Sequence, residues 1–291
     1  MYDSNCITCS FFFILLIVGD FLENVDVSII IVDYNAGSLI ENCVNSIEKN
    51  VKHSYEIIIS DNGSDKVEIS LLRSLEKKYS NVKVIYNNCN WGFAKANNIA
   101  VNHACGKVYH FLNPDTLVGD DIDNAYKYVL QDSSLSMYAT TLYENGIQVN
   151  NPIIIETFSC YWKHFIEKEP SCWYIGASYI LRKDIFYLIE KWPEDYFMYS
   201  EDFDFCYIAY QKGIQILRLD CYIEHLGGGI SRKVWTNFDR DVKKEVALIK
   251  FYKKYNLMSN YFIRKIIMLG KRLCNWKDLL YQFKVMVKAL N

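Results

Sequence analysis

An α/β fold with a parallel, helix-covered sheet is predicted by two features of the first half of the chain. Strand-like and helix-like segments alternate four times in under 100 residues, and the principal strand-like segments are continuous β-branched runs. Such runs mark strands buried on both faces. The first is VSIIIVDYN (27–35). Residues 38–49 then place Leu39, Cys43, Val44 and Ile47 at helical spacing, with Ser38 in the N-cap position. YEIIISDNGS (55–64) is a second buried strand closed by a polar turn, followed by a helix over 66–79 and a short strand, VKVIY (82–86). A helix of small residues over 93–104 leads into a strand at 107–112 that stops at the corner Asn113-Pro114-Asp115-Thr116. Beyond residue 135 the regularity fades. Strand-like pieces at 136–143, 147–155 and 173–182 precede a helix over 202–212 and the strand IQILRL, and everything after 240 reads helical.

The 291 residues suffice for one large domain, or for one domain with an appendage, and only four Pro and 13 Gly argue against long linkers. The formal net charge is −2, but it is unevenly spread. From residue 242 onward there are twelve Lys and Arg against Glu245 and Asp278, leaving 20 basic and 32 acidic residues before it. An acidic body with a basic tail points to an anionic surface as the tail's partner. The ten cysteines have no disulfide-like spacing, so free thiols in a reducing cytoplasm are expected. The apolar run FFFILLIVG (11–19) is shorter than the ~20 residues a bilayer span needs, and it lacks the flanks of a signal peptide. The expected organisation is an apolar extension (1–24), an α/β domain (25–240) and a basic, amphipathic helical region (241–291).

In an open parallel sheet, ligands bind at the carboxyl ends of the strands. Those ends carry Tyr34-Asn35, Asp61-Asn62-Gly63-Ser64 and Asn113-Pro114-Asp115, three polar clusters on one edge. Each also has a plain structural reading. Asn113-Pro114-Asp115-Thr116 suits a turn; Asp61 suits an Asx-turn or a contact to a base or ribose. Gly92, Ala94 and Ala96 suit tight helix–sheet packing or close approach of a ligand. Glu201, Asp202 and Asp204 suit a helix N-terminus.

Seven segments, in order, resemble glycosyltransferase family 2, the inverting enzymes of GT-A fold, and within it the rhamnosyltransferase-like subgroup of bacterial surface-polysaccharide synthesis. They are VSIIIVDYN, EIIISDNGSD, NWGFAKANN, FLNPDT, YIGASYILRKDIF, FMYSEDFDFCYIAYQKG and HLGGGIS, covering about residues 26–231. The resemblance implies a Rossmann-like, mostly parallel central sheet flanked by helices. It places Asp61 on the nucleotide base, with Tyr34, Asn35 and Asn62 around the nucleoside and Tyr34 packing on the base. Gly92, Asn97 and Asn98 would face the donor; Asn97 stands where many members have Arg, so more of the diphosphate charge must be neutralised elsewhere. Asn113-Pro114-Asp115 resembles the family's D-x-D corner with Asn113 in place of the first acid. Asp115 then becomes the main ligand of Mg²⁺ or Mn²⁺, ions that prefer oxygen and stabilise a departing diphosphate. His225 matches a metal-binding histidine, and the glycines after it would let the loop fold onto the diphosphate. The second acid of the Glu-Asp pair, Asp202, would be the general base, with Glu201 orienting the acceptor. Trp173, Gly176 and Ala177 would wall the sugar pocket, and Arg182 would face solvent or the diphosphate.

The expected function is metal-dependent, inverting transfer of a hexose, rhamnose first among candidates, from a dTDP- or UDP-sugar to a lipid-linked or oligosaccharide acceptor. A catalytically silent subunit of a polysaccharide assembly is the rival, favoured by the neutral Asn113 and Asn97. A nucleotidyltransferase is a third reading, opposed by the Glu-Asp motif. In the tail, Phe262, Ile266, Leu269, Leu273 and Trp276 recur at three- and four-residue spacing among Arg264, Lys265, Lys271, Arg272 and Lys277. Such a helix suits either an anionic membrane or packing on the domain. A peripheral position on the cytoplasmic face of the cell membrane follows from the first alternative. Nucleic acid is not expected, because no groove-reading element accompanies the charge.

Overall fold

The computed structural model describes residues 25–149, 153–154, 172–226, 235–270 and 275–290. The expected extension (1–24) and the glycine run after Leu226 lie outside them. The first half is β1 (Val27–Asp33), α1 (Ser38–Asn50), β2 (Tyr55–Asp61), α2 (Lys66–Lys78), β3 (Val82–Tyr86), α3 (Phe93–Val101) and β4 (Val108–Leu112). There follow β5 (Thr116–Val118), α4 (Ile122–Gln131), β6 (Ser136–Glu144), β7 (Ile147–Gln148), β8 (Ile153–Ile154), β9 (Cys172–Trp173) and β10 (Ser178–Arg182). The chain closes with α5 (Lys183–Leu188), α6 (Glu201–Gln211), β11 (Gln215–His225), α7 (Asn237–Lys254), α8 (Met258–Gly270) and α9 (Trp276–Leu290).

One nine-stranded sheet runs in the order β3-β2-β1-β4-β10-β6-β11-β5, with β7 beside β6. Its first four strands are parallel. β10 is antiparallel to β4 and to β6, while β11 is parallel to β6. The sheet is therefore parallel through its β3–β4 half and mixed beyond.

The unbroken apolar runs are explained by two buried faces. Ile29, Ile31, Ile57 and Ile59 point to one face, under Ile40, Val44 and Ile47 of α1 and Leu72 and Leu75 of α2. Ile30, Ile58, Tyr109 and Phe111 point to the other, under Ala94 and Ala100 of α3, Phe186 of α5 and Phe205 of α6. Trp192 stacks on Phe205 in this second layer, with centroids 4.3 Å apart.

Several local expectations are revised. Ser38 is the first helical residue and not the cap: Gly37 takes the cap position at φ 65, and its N–H is held by the Glu68 carboxylate. The expected strands at 147–155 and 173–182 each break, and the turn Ile175-Gly176-Ala177 falls between β9 and β10. The expected strand IQILRL continues to His225, because a shift in register between Leu219 and Tyr222 carries the pairing past Asp220. The tail is not a separate appendage. α7 starts at Asn237, and its Phe251 and Tyr252, with Tyr261 of α8, bury against Tyr196, Phe203 and Tyr207. Lys265, read as a surface charge, is buried in an ion pair with Glu245. Among the described residues no helix is long and apolar enough to cross a membrane.

Candidate functional site

Parallel register brings the strand ends together. Asp33 is level with Asp61 across β1 and β2, and Ile31 with Leu112 across β1 and β4. The polar residues that follow therefore share one rim. Because β10 runs the other way, its beginning lies at the same rim, and the Asn113 N–H donates to the Ala177 carbonyl at 2.9 Å. β5 then pairs with the end of β11, setting Thr116 opposite His225. A cleft of about 310 Å³ opens along this rim. Tyr34, Asn62, Gly92, Asn113, Asp115, Gly176, Glu201, Asp202 and His225 all line it.

On the β5 side, His225 Nε2 lies 3.6 Å from Asp115 Oδ1, and its Nδ1 lies 2.9 Å from Glu144 Oε1. Glu144 closes β6, alongside the end of β11. A carboxylate on Nδ1 fixes the tautomer that leaves Nε2 free to ligate. One carboxylate oxygen and one imidazole nitrogen facing the same cleft make a donor set suited to a divalent ion that takes its remaining ligands from a diphosphate. Among the described residues no group of three or more His, Cys, Asp and Glu side chains is placed to hold a metal by itself. The corner that carries Asp115 is also a turn: the Thr116 hydroxyl donates to the Asn113 carbonyl at 2.7 Å. The structural and functional readings of this corner are compatible.

The cleft is also lined by the start of α6. Tyr199 and Ser200 precede it at φ 71 and φ 65, two successive non-glycine residues in the left-handed region, a costly conformation that packed surroundings must enforce. Asp202 accepts from the Gly176 N–H at 3.1 Å through Oδ2 and from the Phe203 N–H at 2.8 Å through Oδ1. A Cβ at Gly176 would come within 2.8 Å of the Asp202 Cβ, so only glycine permits this approach. Glu201 is buried, and its Oε2 has no hydrogen-bond partner. Burial drives both carboxyls above the ordinary range; the Asp202 charge adds to the rise at Glu201, while the Gly176 and Phe203 amides oppose it at Asp202. Lys244 of α7 also opposes it, and its ammonium sits 5.4 Å from the Tyr199 ring centroid.

At the end of β2 Asp61 is buried and accepts from the Ser64 N–H at 3.0 Å. Its neighbour Asn62 reaches the cleft and accepts from the Trp91 N–H at 2.9 Å. Asn35 does not line the cleft; its side chain caps the Asp65 N–H at 2.9 Å. Asp33, given no role from sequence, is fully buried with Oδ1 unpaired, and burial beside Glu68 and Asp61 pushes its carboxyl upward.

Ala177 lines the cleft as well, whereas Asn97, Asn98, Trp173 and Arg182 do not. Asn97 Nδ2 donates to the Phe93 carbonyl at 3.0 Å, within its own helix. Asn98 brackets the Trp192 peptide, donating to its carbonyl at 2.9 Å and accepting from its N–H at 3.1 Å, and also binds Glu194. A Cβ at Gly92 would lie 2.2 Å from the Phe197 carbonyl oxygen. Gly92 therefore admits Phe197 of the 192–199 loop, the lead-in to the acid pair. Trp173 packs on Phe203, with centroids 5.4 Å apart, outside the cleft lining. Arg182 is tied to Asp184 at 2.9 Å and to the Ser134 carbonyl, which makes it structural. Asp204 is buried against Lys254 and is more than part of the helix start. Sequence reasoning missed Glu144, for which no local signal exists, and Tyr199, which stood unremarked in the FMYSED segment.

Comparison with known proteins gives a family and a fold. A family model described as Glycosyl transferase family 2 matches residues 28–186. An uncharacterised glycosyltransferase of Haemophilus influenzae is 27% identical over 153 residues, 53% of this chain and 41% of that protein, so the chain spans under half of that relative. The rhamnosyltransferase WbbL of Escherichia coli is 27% identical over 214 residues, 65% of this chain and 79% of its own. The mannosyltransferase PcManGT of Pyrobaculum calidifontis, solved with GDP-Man and Mn²⁺, superposes with a TM-score of 0.59 at 14% identity, covering 91% of this chain and 84% of the other. At that identity the likeness is one of fold.

Proposed function

This chain belongs to glycosyl transferase family 2 and has the GT-A fold, and from that membership we propose that it transfers a hexose, with inversion, from a nucleotide sugar to an acceptor hydroxyl. The observation that carries the proposal is that Asp202 and the Asp115–His225 pair line one cleft at the strand ends. Asp202 takes the acceptor proton; its two backbone donors hold the carboxylate in place and leave it at the cleft wall. Attack on the anomeric carbon from the Asp202 side, with departure toward Asp115, inverts that centre. Asp115 and His225 would hold Mg²⁺ or Mn²⁺, which when bound neutralises charge developing on the diphosphate. Tyr34 and Asn62 line the nucleoside end, with Asp61 behind them. The likeness to WbbL supports rhamnose, hence a dTDP-sugar donor; a UDP-hexose is the alternative. A lipid-linked or oligosaccharide glycan is the acceptor.

Replacing Asp202 by Asn abolishes sugar transfer and leaves donor binding within about twofold, since the lost function is proton removal. Transfer assays with Mn²⁺ and calorimetry with the nucleotide diphosphate check this; transfer at the normal rate refutes the assignment. The silent-subunit reading keeps one observation, the neutral Asn113 at the corner. It requires that no nucleotide gives a Mn²⁺-dependent heat.

A further inference from the structure

The last helix has two apolar faces, and among the described residues only one is covered. Its inner face packs on α7: Val285 is buried, Tyr281 donates to Asp241 at 2.8 Å, and the Tyr281 and Phe238 rings meet edge to face. On the outer face Trp276, Leu280, Phe283, Val287 and Leu290 recur at steps of four, three, four and three residues, and all five are exposed, Trp276 by 72%. That spacing makes one continuous stripe along α9. Phe262, Ile263 and Ile266 of the preceding helix are exposed as well. Isolated exposed apolar side chains need no explanation, but a contiguous stripe marks a surface that something covers.

The charges beside the stripe say what covers it. Lys277, Lys284 and Lys288 are exposed, each one residue beyond a stripe position, and Asp278 is the single acid of α9. A second copy laid stripe to stripe would bring lysine flank against lysine flank, with one acid per copy to offset three cations. A negatively charged lipid surface meets both requirements: acyl chains take the aromatic and aliphatic side chains, and headgroups take the ammonium groups. We propose that the outer face of α9 docks this protein on an anionic bilayer, with the helix lying in the interface. The face differs from the one the tail sequence suggested: Lys265 is spent on Glu245, and the stripe begins at Trp276 rather than ending there. The dock leaves the packing of α7 on α6 intact, so it holds the cleft at the membrane without remodelling it.

Flotation of the full chain with phosphatidylcholine vesicles, with and without 30% phosphatidylglycerol by design, tests the proposal. The expected result is binding to the anionic vesicles that weakens as salt rises. Leu280→Asp with Phe283→Asp abolishes it, while transfer to a soluble acceptor and the circular dichroism spectrum stay unchanged. Lys284→Ala with Lys288→Ala weakens it by about fivefold per lysine. The proposal is overturned if the chain ignores anionic vesicles, or if the aspartate pair leaves binding unaltered. It is equally overturned if the aspartate pair instead dissolves a dimer seen by analytical ultracentrifugation without lipid. Because the readout is lipid binding, a failed sugar-transfer reading would leave the result interpretable.

Discussion

Gly176 and Asp202 lie 26 positions apart in the chain, yet each determines what the other can be. The glycine supplies the N–H that steadies the carboxylate and has no Cβ to displace it. From sequence Gly176 was read as a wall of the sugar pocket, whereas its backbone does more here than its lack of side chain. Asp202 was legible because its motif is local, and Asp115 was legible because it ends a strand. Asn97 and Asn98 were misleading: an amide near a rim can face a ligand or bracket a peptide, and only the position of Trp192 decides. The pH response belongs to this scale as well. Burial raises the Asp202 carboxyl, and the buried Glu201 beside it rises too. As the proposed base, Asp202 must be ionised, so kcat/KM falls as pH drops through a value above the ordinary carboxylate range of about 4. A profile that stays flat down to pH 4.5 or so contradicts that origin for the limb.

At the scale of elements, the cleft depends on two short pairings that hydrophobic pattern does not announce. β5 has three residues, and β11 continues past a register shift. Together they place His225 against Asp115, and the parallel neighbour β6 ends with Glu144 on the other imidazole nitrogen. Glu144→Gln therefore weakens Mn²⁺ binding in the presence of nucleoside diphosphate by about tenfold, the lower end for loss of a histidine's outer carboxylate, as Glu144 is partly exposed. Titration calorimetry reads this directly; unchanged affinity would mean that His225 is not oriented through Glu144. α3 shows a related economy. Gly92 at its N-terminus looks like part of a ligand cradle, but it receives Phe197 of the loop that runs through the left-handed Tyr199 and Ser200 to the acid pair.

Over the whole molecule, the basic region beyond residue 240 and the α/β domain share a core. Asp204 of α6 is fully buried, bonded to Lys254 at 2.7 Å and to the Tyr255 hydroxyl at 2.6 Å, and Phe251 fills the space beside Phe203. Asp204→Ala leaves the Tyr255 hydroxyl, just past α7, without this acceptor and leaves Lys254 paired with Asp195 alone. It lowers the unfolding free energy by about 3 kcal/mol, at the low end for breaking a buried pair because Lys254 keeps some contact with water. Denaturant unfolding measures the loss; a change below about 0.5 kcal/mol would show that α7 is held by its aromatic residues alone. By itself the sequence determined the strand–helix order of the first half, the rim at which the strand ends gather their polar residues, and the acids at 115 and 202 that line its cleft. These follow from local periodicity and from residues adjacent in the chain. Only the tertiary structure decided which asparagines reach the cleft, which carboxylate orients His225, and which face of the last helix is left uncovered. Those outcomes rest on contacts between segments far apart in sequence, where competing partners for one side chain are equal until the packing selects among them.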